Sequence, residues 1–107
     1  MRLLRLFLAA LLLVFLERNT VHAQSNGVLR EVWLNITGSA VSDLTNNFAF
    51  PSNPTFDGIL TNGYEAPTDV YDNYGQRLRA LVFPPTSGTY YFVIASDDNS
   101  QLFIGTA

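Results

Sequence analysis

The chain has 107 residues, with six arginines, no lysine, nine acids, one histidine and no cysteine. One domain at most fits this length. The absence of cysteine excludes disulfide frameworks, thiol nucleophiles and thiolate zinc sites, and a net charge of −3 argues against the clustered basic face that nucleic-acid binding requires.

The N-terminus reads as a secretory signal peptide. Arg2 and Arg5 precede an unbroken apolar run of 11 residues, 6–16, which Glu17 and Arg18 end; Val21, His22 and Ala23 then form a cleavage signal. The run is about half of the ~20 residues a membrane-spanning helix needs, so cleavage after Ala23 is expected rather than anchoring. The mature chain, 24–107, has 84 residues and carries three arginines against eight acids, a net charge of −5. His22 leaves with the leader, so the mature chain has no histidine, cysteine or lysine. A serine nucleophile there lacks an imidazole or amine base, and no histidine metal site can be built. Carboxylate, hydroxyl and amide groups remain, which suit hard cations and polar ligands such as sugars.

Strand signals follow in chain order. Residues 28–36 place Val28, Val32, Leu34 and Ile36 on one face and Leu29, Glu31, Trp33 and Asn35 on the other. Trp33 is read as core. Residues 40–45 suit one helical turn with Ser39 as N-cap. The segment 38–75 is otherwise irregular, rich in proline and glycine, with a short strand near 59–65. Residues 76–83 and 89–96 are β-branched and aromatic, and Pro84-Pro85-Thr86-Ser87-Gly88 between them predicts an antiparallel hairpin. A fourth strand is expected over 101–106, after the polar loop 97–100. Several strands with turn signals and no helical period imply an all-β class, sandwich or barrel.

Four blocks of sequence carry a resemblance. They are Gly27-Val28-Leu29-Arg30-Glu31-Val32-Trp33; Tyr64-Glu65-Ala66-Pro67; Asp72-Asn73-Tyr74-Gly75-Gln76-Arg77-Leu78-Arg79; and the run from Pro84 through Tyr90-Tyr91-Phe92 to Ser96-Asp97-Asp98-Asn99-Ser100. In this order they resemble the protective-antigen-like β-barrel, or PA-14, domain over 27–107. The resemblance implies an antiparallel β-sandwich or barrel, an extracellular setting and, in several branches, carbohydrate binding. It also implies further C-terminal strands and a late binding loop beyond residue 107, so that 24–107 is an incomplete domain with open apolar faces and an open edge at 101–106.

Asp97 and Asp98 are the candidate metal ligands. Adjacent carboxylates repel, and a bound Ca²⁺ reverses that cost; a turn or a cis peptide makes neighbouring side chains converge. In adhesin-type members of the resembling family the matching pair holds Ca²⁺ through a cis linkage, and the metal coordinates sugar hydroxyls. Calcium takes 6–8 oxygens, so the pair is a partial site, and an EF-hand reading fails because Leu102 stands where glycine is required. The competing reading is a plain polar turn. Retaining glycosidase catalysis needs carboxyls about 5 Å apart across a cleft, which adjacent residues in one short loop rarely provide.

Other residues carry paired readings. Tyr71 and Tyr74 either stack on a sugar ring or pack on the sheet. Arg77 and Arg79 share a strand face and are expected to pair with acids such as Glu65 or Asp72 rather than bind anions. Asn35-Ile36-Thr37 is an N-glycosylation sequon, excluded from use if the Trp33 face buries Asn35. The expected function is a secreted or cell-surface, non-catalytic module binding glycans or cell-surface polysaccharide with Ca²⁺ assistance. The alternatives are a structural or protein-contact module, and an accessory domain of a larger secreted glycosidase.

Overall fold

The computed structural model describes residues 27–105. The leader expected over 1–23 lies outside the described residues. Among those residues the elements are β1 (Val28–Leu34), a short helix α1 (Val41–Thr45), β2 (Phe56–Leu60) and β3 (Tyr74–Arg79). They form one antiparallel sheet in the order β2-β1-β3. The regular structure is therefore mostly strand, with five residues of helix.

The first strand in the chain occupies the middle of the sheet. Val28 pairs with Leu60 and Val32 with Phe56 on one side, while Leu29 pairs with Arg79 and Leu34 with Tyr74 on the other. A central strand is covered on both faces and both edges, which accounts for its buried run of Val28, Arg30, Glu31, Val32 and Trp33. Directly paired residues share a face. One face carries Val28, Arg30 and Val32 with Phe56, Gly58, Gln76 and Leu78; the opposite face carries Glu31 and Trp33 with Asp57, Gly75 and Arg77.

Trp33 is core, as its sequence context implies, with 1% of its surface exposed. Its ring lies 5.0 Å from that of Phe50, and its Nε1 donates to the carbonyl oxygen of Ala49 at 3.2 Å. The loop after α1 thus covers the Trp33 face and satisfies the buried indole N–H. Beside it, Gly75 admits Leu44 of α1; a Cβ there would stand 2.9 Å from the Leu44 methyls. The sheet needs glycine at this point to let the helix rest on it.

Several boundaries differ from the sequence reading, each for a local reason. Strand β1 ends at Leu34, because Asn35 turns into the left-handed region (φ 60) and the Ile36 N–H donates to the Asn73 carbonyl at 2.8 Å. Helix α1 forms where one turn was expected, but its N-cap is Ala40, not Ser39. Asp43 replaces the missing cap by accepting from the Ala40 N–H at 2.9 Å. The middle strand lies at Phe56–Leu60 rather than near 59–65. Thr55 sets its start, donating its N–H to Val32 O at 2.7 Å and accepting the Leu34 N–H on Oγ1 at 3.0 Å.

The hairpin expected from 76–83 and 89–96 does not form. Strand β3 ends at Arg79 and spends its ladder on β1, and residues 80–105 contain no strand and are exposed throughout. Pro84 and Pro85 donate no ladder hydrogen bonds, and the Tyr90 hydroxyl closes the turn instead by donating to Thr86 O at 2.6 Å. The fourth strand expected over 101–106 is likewise absent from its described part, 101–105.

Candidate functional site

Two buried charges sit side by side in the middle of β1, on opposite faces, and each must find a partner. Glu31 finds two. Arg77, directly across the ladder, donates from Nε to Glu31 Oε2 at 2.7 Å and from Nη2 to Oε1 at 2.9 Å. Arg79, two residues on, repeats the fork at 3.0 and 3.1 Å. The Arg77 guanidinium lies 5.6 Å from the Trp33 ring centroid and 5.1 Å from that of Phe50. Hydrogen bonding by Arg77 holds the Glu31 carboxyl below the usual carboxylate range; burial pushes the other way, and Arg79 adds to the lowering. The same contact raises the Arg77 pKa. The two arginines therefore pair with an acid, as the sequence reading held, but the acid is Glu31 and not Glu65 or Asp72.

Arg30, on the other face, is only partly matched. Its residue is 9% exposed, its Nε donates to Gln76 Oε1 at 2.9 Å, and its Nη2 has no hydrogen-bond partner. A buried guanidinium N–H without an acceptor is costly. It stands at a shallow recess of about 190 Å³ lined by Arg30 and β2 residues from Phe56 to Leu60. Gly58, the residue opposite Arg30, leaves the recess open: nothing lies within 4 Å of where its Cβ would be.

The recess continues into an aromatic group. The Phe56 ring lies 5.4 Å from Tyr71, and Tyr71 lies 5.9 Å edge-on from Tyr74. Tyr71 is packed on one side yet 42% exposed. The packing reading of this tyrosine is met on the Phe56 side, and the rest of its surface is free. Together the face carries a part-exposed aromatic surface beside a side-chain amide, with the Arg30 guanidinium buried beneath it.

Asp97 and Asp98 lie in the exposed segment, away from any strand. Asp97 Oδ1 accepts from the Asp98 N–H at 2.9 Å, Ser96 Oγ donates to the Asp98 carbonyl at 3.0 Å, and Asp98 adopts φ 56. The linkage between the two is trans, since the cis bond among the described residues is Phe50–Pro51. The Asn99 N–H ties the loop to Ser39 O at 3.1 Å. Among the described residues no three His, Cys, Asp or Glu side chains gather as a metal-holding group. The pair thus forms a self-closed turn offering two carboxylates, fewer oxygens than calcium takes.

The sequence reading did not single out Arg30, Gln76 or Phe56. The available signal was a charge flanked by Val28 and Val32 on the same strand face, which requires a polar neighbour within the sheet.

No family model and no solved structure matches the chain. A stretch of 67 residues, 63% of the chain, is 34% identical to mouse N-acetyl-beta-glucosaminyl-glycoprotein 4-beta-N-acetylgalactosaminyltransferase 1, and the chain spans 6% of that relative's length. No helix among the described residues is long and apolar enough to cross a membrane.

Proposed function

We propose that this chain is a secreted or cell-surface, non-catalytic glycan-binding domain of the PA-14 β-sandwich type, with Ca²⁺ assistance from Asp97 and Asp98. The observation that carries the reading is the half-exposed Tyr71, backed by Phe56 and Tyr74 and continuous through Phe56 with the recess of Arg30. An aromatic face covers the apolar side of a sugar ring, while the Gln76 amide, held by Arg30 Nε, lies on the same sheet face for its oxygens. The partial likeness to an enzyme whose name specifies transfer of N-acetylgalactosamine to a glycoprotein sugar supports a place near glycan chemistry.

The non-catalytic half of the proposal rests on the groups present. Residues 24–107 contain no histidine, cysteine or lysine. Glu31, the buried carboxyl, has its pKa pulled down by Arg77, whereas a general acid needs it raised. Glycan-array binding followed by titration tests the reading. Tyr71→Ala is expected to weaken binding about tenfold; binding unchanged by Tyr71→Ala and Arg30→Met removes this face as the site.

A second reading has its own support. Residues 80–105 expose Phe83, Tyr91, Val93 and Phe103, and apolar surface on that scale fits contact with protein, either a partner or the remainder of a longer glycan-processing enzyme. That reading predicts no glycan and no calcium bound, with a protein partner retained.

A further inference from the structure

The exposed turn that ends β1 coincides with a chemical motif. Asn35-Ile36-Thr37 is the chain's one Asn-x-Ser/Thr triplet with an acceptable middle residue, since Asn53-Pro54-Thr55 is disqualified by its proline. On a continuing strand Asn35 would share the buried face of Trp33. It does not: Asn35 leaves the extended path at φ 60 and is exposed, Ile36 turns inward with 6% exposure, and Thr37 is exposed again. The turn is held by the Ile36 N–H on Asn73 O at 2.8 Å, so the backbone anchors through the middle residue. The two residues that a glycosyl transfer reads, the amide of Asn35 and the hydroxyl of Thr37, stay accessible.

We propose that Asn35 is an N-glycosylation site. The inference rests on the secretory reading of residues 1–23. The carboxamide nitrogen of Asn35 forms a bond to the anomeric carbon of an oligosaccharide carried on a lipid pyrophosphate. The bond from that carbon to the pyrophosphate oxygen breaks, the lipid pyrophosphate leaves with its electron pair, and one amide proton passes to a base of the transferase. The attached glycan projects from the end of β1 into solvent and displaces no core side chain, because Ile36 and not Asn35 fills the interior.

The test is expression of the full chain in a eukaryotic secretory cell, once with its own leader and once with residues 1–23 replaced by a leader of known function. The readouts are gel mobility before and after peptide N-glycosidase and peptide mass across position 35. The expected result is one enzyme-sensitive shift, with enzymatic release converting Asn35 to an acid. Thr37→Val abolishes the shift and Thr37→Ser keeps it; both spare the left-handed turn that Asn35→Gln would strain. A chain glycosylated only with the substituted leader supports the site and overturns the secretory reading. A chain secreted by either leader and unshifted at position 35 overturns the site.

Discussion

Glu31 and Arg77 stand directly opposite each other in the β1–β3 ladder and close a two-bond fork at 2.7 and 2.9 Å, with Arg79 forking onto the same carboxylate from the next position on that face. Glu31 is almost fully buried, while Arg79 keeps 54% of its side chain in water. The carboxylate is thus neutralised from the strand edge rather than sealed among hydrophobes. Removing it strands the half-buried Arg77 over Trp33 and Phe50, so Glu31→Gln is expected to cost about 2–3 kcal/mol. Urea unfolding of wild type and variant checks this, and loss of under about 0.5 kcal/mol, the scatter of surface changes, contradicts it.

The same pair sets a pH dependence. Arg77 depresses the Glu31 pKa in the folded chain below its ordinary value of 4.5. A carboxyl with a depressed folded pKa binds fewer protons folded than unfolded, so its stabilisation is complete above the ordinary value and is lost as pH falls through the lowered one. Melting temperature should therefore drop as pH falls below that ordinary value, and Glu31→Gln should flatten that part of the curve. An equally steep acid limb in the variant assigns the effect to other carboxyls.

Much of this arrangement was visible in the residues, and the missing parts have a common cause. Alternation along 28–36 located β1 and its core tryptophan because period-2 patterning is a local property. The shared face of Arg77 and Arg79 was legible in the same way. Their partner was not, because Glu31 precedes Arg77 by 46 positions and meets it only through the antiparallel β1–β3 pairing. The hairpin over 76–96 illustrates the opposite failure. Its local signals are strong, yet a strand apolar on both faces needs a second layer, and residues 80–105 find none among the described residues. The recess at Arg30 depends on Gly58 lying opposite it, a register fact that no spacing in the sequence encodes.

Gly38 is expected to resist substitution. Its φ of 103 lies where a side chain is strained, and a Cβ there would collide with the Asp43 carboxylate that caps the Ala40 N–H. Gly38→Ala therefore combines backbone strain with loss of the cap, a cost of about 2 kcal/mol. Asp43→Ala removes the cap alone and should cost about 1 kcal/mol. Thermal melts of the two single variants and the double separate the contributions. A Gly38→Ala cost no greater than that of Asp43→Ala shows that the glycine acts mainly by admitting Asp43; a larger cost that persists in the double measures the backbone strain.

Trp33→Ala empties the space between β1 and Phe50 and frees the Ala49 carbonyl, with an expected loss of about 3–5 kcal/mol. Trp33→Phe keeps most of the apolar contact and loses the Nε1–H donor, so a loss of about 1–2 kcal/mol is expected. Denaturant midpoints give both values. Equal losses would mean that the hydrogen bond to Ala49, rather than packing, carries the contribution of this side chain.

Calcium at Asp97 and Asp98 is open to direct measurement. The turn already satisfies itself, with Asp97 on the Asp98 N–H, so ion binding must either keep that bond or replace it with metal–oxygen contacts that bring in further oxygens. If the pair binds calcium as proposed, millimolar Ca²⁺ raises the melting temperature, the shift grows with concentration, and an Asp97→Ala, Asp98→Ala double variant loses both the shift and glycan retention. If wild type and double variant melt alike at every calcium concentration, the loop is a polar turn. If glycan binding then persists in chelator while Tyr71→Ala abolishes it, recognition belongs to the sheet face without the metal. These outcomes separate the two halves of the proposal, because Tyr71 lies in the aromatic group against Phe56 and Tyr74, whereas the aspartate loop is fastened by Asn99 to Ser39, ahead of α1.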